Sequence, residues 1–290
     1  GADPDPVVAL AGVVAAGSTP GADGSGDALD AAERAGRVER RPGVALPISG
    51  TIDEEPSRAE ALAASTLART RYSGDPEAAR EALAPLELPA DPDTDDRRRF
   101  ASLVAVDAVD GDDASERAAS AVERALRPYA TDGPFETVGG YADVLDALAR
   151  EAPGTGVAFA LASEPNPSLR TAALDAWRRH GLAAHRALDD ATIGRYDGCV
   201  VARVDASPTV LPTVARLVRD FRSPEPVAVA LDETAGRLAA AATDPIGLGD
   251  ACRTAAGEVG GDGWGTPTRG HVSVDDGDIT AALAALREAI

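Results

Sequence analysis

The segment Glu258-Val259-Gly260-Gly261-Asp262-Gly263-Trp264-Gly265-Thr266-Pro267-Thr268-Arg269-Gly270-His271-Val272 governs the interpretation of the end of this chain. It follows a helical pattern that ends near Gly257 and precedes an alternating run at residues 271–274. The four glycines at 260, 261, 263 and 265 predict a helix–glycine loop–strand unit whose backbone N–H groups are open to phosphate. A dinucleotide fingerprint or a P-loop is excluded, because both place the glycines between a strand and a following helix. The alternative is a simple connection.

The length of the chain predicts two domains, and its composition predicts adaptation to high salt. A chain of 290 residues can bury more than one core, and it carries 48 acidic against 28 basic residues, a net charge of −20. No lysine occurs, so every basic residue is arginine. This balance is typical of adaptation to a salt-rich cytoplasm, and the acidity is therefore weak evidence about function. In molar salt the Debye length falls to about 3 Å, so local arginines can still bind nucleic acid.

The cysteines and the ends of the chain give further expectations. Cys199 and Cys252 lack pairing or metal-ligand spacing, which favours reduced, buried thiols in a cytoplasmic protein. No apolar leader or long apolar span is present, so no membrane association is expected. Residues 1–6 run directly into an apolar helix, which favours a chain that continues a longer one.

Helical patterns dominate the first part of the chain. Caps, prolines and glycines predict helices over 7–16, 27–35, 52–68, 77–84, 115–126 and 142–150, one that starts at Asp93 and a long one from Ser168 towards Thr192, whereas 157–161 fits a strand or a buried helix. On the long helix His180 and His185 are five apart and diverge, so they do not form a metal pair. The arginine-bearing run 37–44 is interpreted as a solvated connector that could meet phosphates.

Strand and helix patterns alternate after Gly194. Strands are predicted over 199–204, 226–231, 237–242 and 271–274, and helices over 210–221, 248–256 and 279–290. This alternation predicts an α/β fold class, with a mostly helical region 1–165, a connecting helix 166–194 and a compact α/β domain with a mixed sheet at 195–290. Arg219 and Arg222 flank Phe221, an arrangement that suits tracking of a single strand but is also normal at a helix end.

These residues resemble the RecJ-like DHH phosphoesterases, in particular a haloarchaeal branch. The resemblance spans nearly the whole chain and is carried by the runs 9–17 and 36–44, by Gly139-Gly140-Tyr141 and by the terminal glycine segment. It implies that 1–165 is the rear part of a DHH-type domain, whose active members use Mn or Mg. It also implies that 195–290 is a DHH-associated domain that grips single-stranded nucleic acid through a GGGH-type loop. The nucleic-acid-binding residues are then predicted to be Gly260, Gly261, Gly263, Gly265, Thr266, Arg269, Arg219 and Arg222.

The chain departs from the family pattern where catalysis would reside. No Asp-His-His occurs, and Ala15-Ala16 stands where the family places a metal-binding aspartate. Thr266 aligns with the histidine of the GGGH loop, Trp264 replaces a glycine, and the family's basic residue before the last long helix is replaced around Thr243-Asp244. We therefore assign no catalytic residue, no metal ligand and no cofactor within this chain.

Three functions remain open. The first is a catalytically degenerate RecJ-like protein that binds single-stranded nucleic acid or scaffolds a DNA replication or repair complex. The second is a single-strand-specific, metal-dependent exonuclease whose catalytic front half lies outside this chain. The third is a haloadapted interaction domain that binds no nucleic acid.

Overall fold

The computed structural model describes residues 5–48, 57–111, 114–162, 166–275 and 278–290. The chain divides into two compact units: the first takes residues up to Gly111 and from 119 to 182, and the second takes the segment between them and everything from Ala183 onward. The division falls within a long helix, whereas the sequence analysis placed a boundary after that helix. No helix among the described residues is long and apolar enough to cross a membrane.

The first part of the chain combines helices with a small two-stranded antiparallel sheet, which α2 and α7 contact. The described helices up to the division are α1 (Pro6–Ala15), α2 (Gly26–Arg34), α3 (Arg58–Ala64), α4 (Pro76–Leu83), α5 (Thr94–Val109), α6 (Ala118–Glu123), α7 (Val138–Glu151), α8 (Pro153–Leu161) and α9 (Pro167–Asp189). The strands are β1 (Val38–Arg40) and β2 (Tyr129–Thr131). Side-chain caps explain why several starts were predictable: the carboxylate of Asp93 accepts the N–H groups of Asp95 and Asp96, and that of Asp5 accepts the N–H of Val7.

Several predictions for this half were wrong in extent. The helix predicted over 52–68 ends at Ala64, because Ser65 is extended and turns towards α7; its first residues lie outside the described ones. Strand β1 lies where a connector was predicted, because Val38 is buried and pairs with Thr131. Helix α7 begins at Val138, before the predicted start, and so includes Gly140. A Cβ added at Gly140 would lie 2.2 Å from the carbonyl carbon of Leu46. The ambiguous run 157–161 belongs to α8.

The centre of the first unit is the buried carboxylate of Asp143 on α7. It accepts hydrogen bonds from Ser65 Oγ (3.2 Å), Thr66 N (3.1 Å), Thr66 Oγ1 (2.5 Å) and Trp177 Nε1 (2.8 Å). Asp143 and Trp177 are 4% and 0% exposed, so water contributes little to solvating this charge. The donors come from the segment after α3 and from α9, and the carboxylate therefore fixes three parts of the chain to one point.

Helix α9 contributes Trp177 to this centre and carries the predicted apolar stripe. Leu174, Trp177, Ala184 and Leu188 are buried, which confirms the stripe. A Cβ at Gly181 would lie 1.8 Å from the carbonyl oxygen of Ala64, so only glycine allows α9 to approach α3 this closely.

The histidines of α9 are not solvent-facing. His180 Nδ1 lies 2.9 Å from Glu151 Oε1 and only 2% of His180 is exposed, while His185 is fully buried. Each histidine therefore faces protein neighbours.

The second unit is built on a six-stranded mixed sheet. Its strands are β3 (Thr192–Tyr196), β4 (Cys199–Arg203), β5 (Val227–Asp232), β6 (Arg237–Ala242), β7 (Asp262–Thr266) and β8 (Arg269–Ser273), and its helices are α10 (Leu211–Leu217), α11 (Leu248–Glu258) and α12 (Ile279–Ala289), with a π-helical turn at Val218–Arg222. The strand order is β3-β4-β5-β6-β8-β7, and β4–β5 is the parallel pair. The predicted mixed α/β sheet is thus confirmed, although β3 and β7 were missed.

Helices cover both faces of this sheet unequally. Alternate residues of β4, β5, β6 and β8, such as Val229, Leu238 and Val272, form one core with α11 and α12. The intervening residues of β5 and β6, such as Ala228 and Ala239, face the opposite side, where α10 packs. On that second side, α10 covers the centre of the sheet.

Replacing Asp143 by alanine is expected to destabilise the protein by about 3–5 kcal/mol, because buried donors lose a charged acceptor. Trp177→Phe removes one donor and is expected to cost about 1–2 kcal/mol. Chemical denaturation followed by circular dichroism measures both.

The matched control is Asp30→Ala, which removes an exposed carboxylate from α2. An Asp143→Ala protein as stable as the Asp30→Ala protein would contradict the role of this carboxylate.

Candidate nucleic-acid interface

The terminal glycine segment is a β-hairpin. Strands β7 and β8 pair antiparallel from Asp262↔Ser273 to Thr266↔Arg269, and Pro267 and Thr268 form the turn. Thr266 Oγ1 accepts the N–H groups of Arg269 (3.2 Å) and Thr268 (3.4 Å), so this hydroxyl stabilises the turn. The prediction of an open glycine loop was therefore wrong: Gly263 and Gly265 lie in an edge strand.

The strand glycines are explained by helix packing. A Cβ at Gly263 would lie 2.3 Å from the carbonyl oxygen of Cys252 on α11, and one at Gly249 of α11 would lie 2.5 Å from the carbonyl carbon of Gly265. A Cβ at Gly261 would lie 2.5 Å from the carbonyl oxygen of Ser273. Gly260 follows α11 with φ +72°, a conformation that glycine adopts without steric cost. These positions allow α11 to contact the hairpin backbone, which leaves that face closed to a ligand.

The other face of the hairpin presents side chains. Because side chains alternate along a strand, Trp264 and Thr266 of β7 lie on the same side as Arg269 and His271 of β8. The rings of Trp264 and His271 stack with centroids 5.3 Å apart and planes 12° apart. Trp264 is 50% exposed, so the outer surface of this pair is open to solvent. We call Trp264, Thr266, Arg269 and His271 the Trp264 face.

Arg219 lies near one end of this face. Its Nη1 donates to Ala242 O (3.2 Å) and its guanidinium pairs with Asp220 at 2.7 Å. Since Ala242 N in turn donates to Thr268 O (2.9 Å), Arg219 adjoins the hairpin turn.

Arg222 points elsewhere. Its Nη1 donates to Leu188 O (3.2 Å) and its Nη2 contacts Asp189 (3.4 Å). The structure thus brings Arg219 towards Arg269 and places Arg222 at the end of α9. Both guanidinium groups already bind protein acceptors, and the two side chains are only 17% and 19% exposed.

The donor set does not fit the Mn or Mg that the family resemblance implies for active members. In the part of the chain that the structure describes, no group of three or more His, Cys, Asp or Glu side chains could hold a metal ion. At the family's aspartate position, Ala15 ends α1 and Ala16 caps it. Neither methyl group can ligate a cation.

The cysteines have no place in this site. Both are free and buried, and burial raises the pKa of Cys199 to about 11 and that of Cys252 to about 12. The thiolates that nucleophilic or metal chemistry requires are therefore disfavoured. The sequence analysis expected buried, reduced cysteines, and their burial is confirmed.

His271 is the residue that sequence reasoning missed. The run 271–274 predicted a strand. The pairing of His271 with Trp264 was not predicted, because it depends on β7, whose glycines led us to predict a loop there. A two-residue turn, Pro267-Thr268, between alternating residues was the available signal.

Comparison with known proteins gives a family. The domain family described as "Uncharacterized protein rrnAC1427, C-terminal domain" matches residues 191–288, which contain the six-stranded sheet, α10, α11 and nearly all of α12. The chain is also 50% identical over 290 residues to "Uncharacterized protein rrnAC1427" of Haloarcula marismortui, covering 99% of this chain and 72% of that protein. The chain belongs to the rrnAC1427 family. The matched domain contains the whole Trp264 face.

Gly263→Ala is expected to lower the free energy of unfolding by about 1–3 kcal/mol, because its Cβ would collide with the backbone of α11. Thermal and chemical unfolding measure the loss. The matched control is Gly257→Ala in α11, where a Cβ meets nothing within 4 Å and helix propensity favours alanine. If Gly263→Ala were as stable as Gly257→Ala, the packing explanation of the strand glycines would fail.

Proposed function

We propose that this member of the rrnAC1427 family binds single-stranded nucleic acid through the Trp264 face. The observation that carries the proposal is the half-exposed Trp264 ring, stacked on His271 in an edge strand with Arg269 on the same side. A solvent-open aromatic pair beside a cation is the arrangement that single-strand-binding sheets use.

Stacking accounts for affinity without sequence preference. Every nucleobase has a π-face, and stacking on an aromatic side chain is worth about 1–3 kcal/mol per base. His271 supports the inner surface of the Trp264 ring at 5.3 Å, which leaves the outer surface for a base. The alanine-rich strand β6 beside β8 adds no bulk, because His271 is paired with Ala239.

Charge orients the bound strand. Arg269 lies at the turn end of the hairpin, near an Arg219 that is already paired with Asp220, whereas Asp262 lies on the same face at the opposite end. Phosphates are therefore favoured at the turn and disfavoured near Asp262. In molar salt such attraction acts only over direct contact, so the contribution of stacking dominates.

The proposal includes the resemblance to the RecJ-like DHH phosphoesterases. We regard the second unit as a DHH-associated domain and the whole chain as a catalytically degenerate RecJ-like protein, which binds single strands or scaffolds a replication or repair complex. The support is the absence of an acidic ligand at the family's aspartate position, together with a hairpin that presents an exposed aromatic pair and an arginine on one face. The scaffolding role requires a protein partner in addition to the strand.

Trp264→Ala is expected to weaken binding of a labelled oligothymidylate about 5- to 150-fold, the equivalent of one lost stacking contact. Trp264→Phe retains a ring and is expected to recover most of the affinity. Fluorescence anisotropy in molar KCl measures binding, and circular dichroism confirms that each variant is folded.

Two controls lie in β3, at the opposite edge of the same sheet. Ile193→Ala removes an exposed apolar side chain, and Arg195→Gln removes an exposed charge. Loss of affinity in Ile193→Ala equal to that in Trp264→Ala would show that the Trp264 face is not the binding surface.

The degenerate assignment predicts that the purified chain has no Mn- or Mg-dependent nuclease activity, because two-metal hydrolysis of a phosphodiester needs carboxylate or histidine ligands. Incubation of a labelled single strand with each metal, with and without a chelator, tests this. Chelator-sensitive degradation that survives repurification would favour the exonuclease alternative instead.

A further inference from the structure

A solvent-open cavity of about 510 Å³ lies within the first unit, and none of its lining residues belongs to the Trp264 face. Its volume is in the range of small-molecule sites in proteins. Four of its ten lining residues are arginines and none is acidic; the lining is Arg40, Arg41, Pro42, Gly43, Arg98, Ala101, Ser102, Ala105, Leu126 and Arg127.

Two paired segments and one helix face build this cavity. The segments 40–44 and 126–129 extend the β1–β2 pairing, with Arg41 N donating to Pro128 O and Arg127 N donating to Gly43 O, both at 3.2 Å. The other wall is α5, whose lining residues at 98, 101, 102 and 105 follow the i, i+3, i+4, i+7 spacing of one helical face. Small side chains on that face leave the space open.

The arginines are only partly neutralised by the protein. Arg98 pairs with the exposed Asp95 at 2.9 Å, and the Arg40 guanidinium lies 5.4 Å from the Tyr129 ring centroid. Within the described residues, Arg41 and Arg127 have no carboxylate partner within 4.0 Å. In a chain of net charge −20, a cavity that gathers four positive charges and no negative one is an electrostatic exception.

The backbone holds one of these arginines in an unfavourable conformation. Arg127 has φ +52°, in the left-handed region, where the Cβ of a non-glycine residue crowds the backbone. Glycine or asparagine adopts this conformation more readily, so the position tolerates strain while it presents a guanidinium to the cavity. Like charges held near one another are stabilised by a multivalent anion, and guanidinium groups bind phosphate bidentately.

We propose that this cavity binds a ligand through its terminal phosphate or pyrophosphate group. The arginines supply the charge, Ser102 supplies a hydroxyl, and the apolar wall of Pro42, Ala101 and Leu126 accommodates the uncharged part of the ligand. A free nucleotide and the phosphorylated end of a nucleic-acid strand present this same chemistry. The inference is independent of the Trp264 face, since no residue is shared.

The test compares the wild type with the double variant Arg41→Gln/Arg127→Asn; asparagine suits the left-handed conformation, so the variant retains the backbone geometry. The probes for titration calorimetry are pyrophosphate, a nucleoside diphosphate, and oligothymidylates with and without a terminal phosphate. We expect the double variant to bind pyrophosphate at least about tenfold more weakly, since each lost charge-assisted contact is worth about 1.5–3 kcal/mol. Arg34→Gln, which removes an exposed arginine from α2, is the matched control.

The ligand source is decided by the other probes. Tighter binding of the phosphorylated oligonucleotide than of the unphosphorylated one, lost in the double variant but retained in Trp264→Ala, identifies a strand end. Binding of the nucleoside diphosphate without that difference identifies a free nucleotide. Absence of binding to every phosphate probe, or equal loss in the Arg34→Gln control, would overturn the proposal.

Discussion

The buried carboxylate of Asp143 is the constraint on which the first unit depends. A charge excluded from water is costly unless hydrogen bonds replace its solvation, and four donors surround this one. Because those donors come from the end of α3 and from α9, movement of either element would leave the carboxylate without some of its hydrogen-bond donors. The end of α3 at Ser65 follows from this: the chain leaves the helix so that Ser65 and Thr66 can reach α7.

The second general constraint on the structure is the close contact between helices and the backbone of neighbouring segments. Aromatic residues make up only 3% of the chain, so large rings fill little of the interior. Gly140, Gly181 and Gly263 instead allow helices to contact neighbouring backbone directly, at positions where a Cβ would lie 1.8–2.3 Å from another atom. Close packing at these points depends on the absence of a Cβ, so substitution there is poorly tolerated.

Local signals made most helices predictable, whereas contacts between residues far apart in the sequence could not be predicted. Asp93 and Thr137 cap their helices through neighbouring N–H groups, information that a short window contains. Asp143 meets Thr66 across 77 positions, and no pattern in either segment predicts that contact. The arginine-lined cavity likewise joins residues near 41, 98 and 127, of which the sequence indicated only the first cluster.

Strand β7 was missed for a related reason, and its presence changes which groups of the hairpin are available to a ligand. Glycines suggested an open loop that offers backbone N–H groups to phosphate, but alternation along the strand directs Gly263 and Gly265 towards α11. The same alternation directs Trp264 and Thr266 outward, beside His271 and Arg269. Helix packing on one face therefore determines which side chains the other face presents. The recognition that we propose for the hairpin therefore depends on an aromatic ring and a cation, and the glycines contribute only by allowing the strand that carries Trp264 to pack on α11.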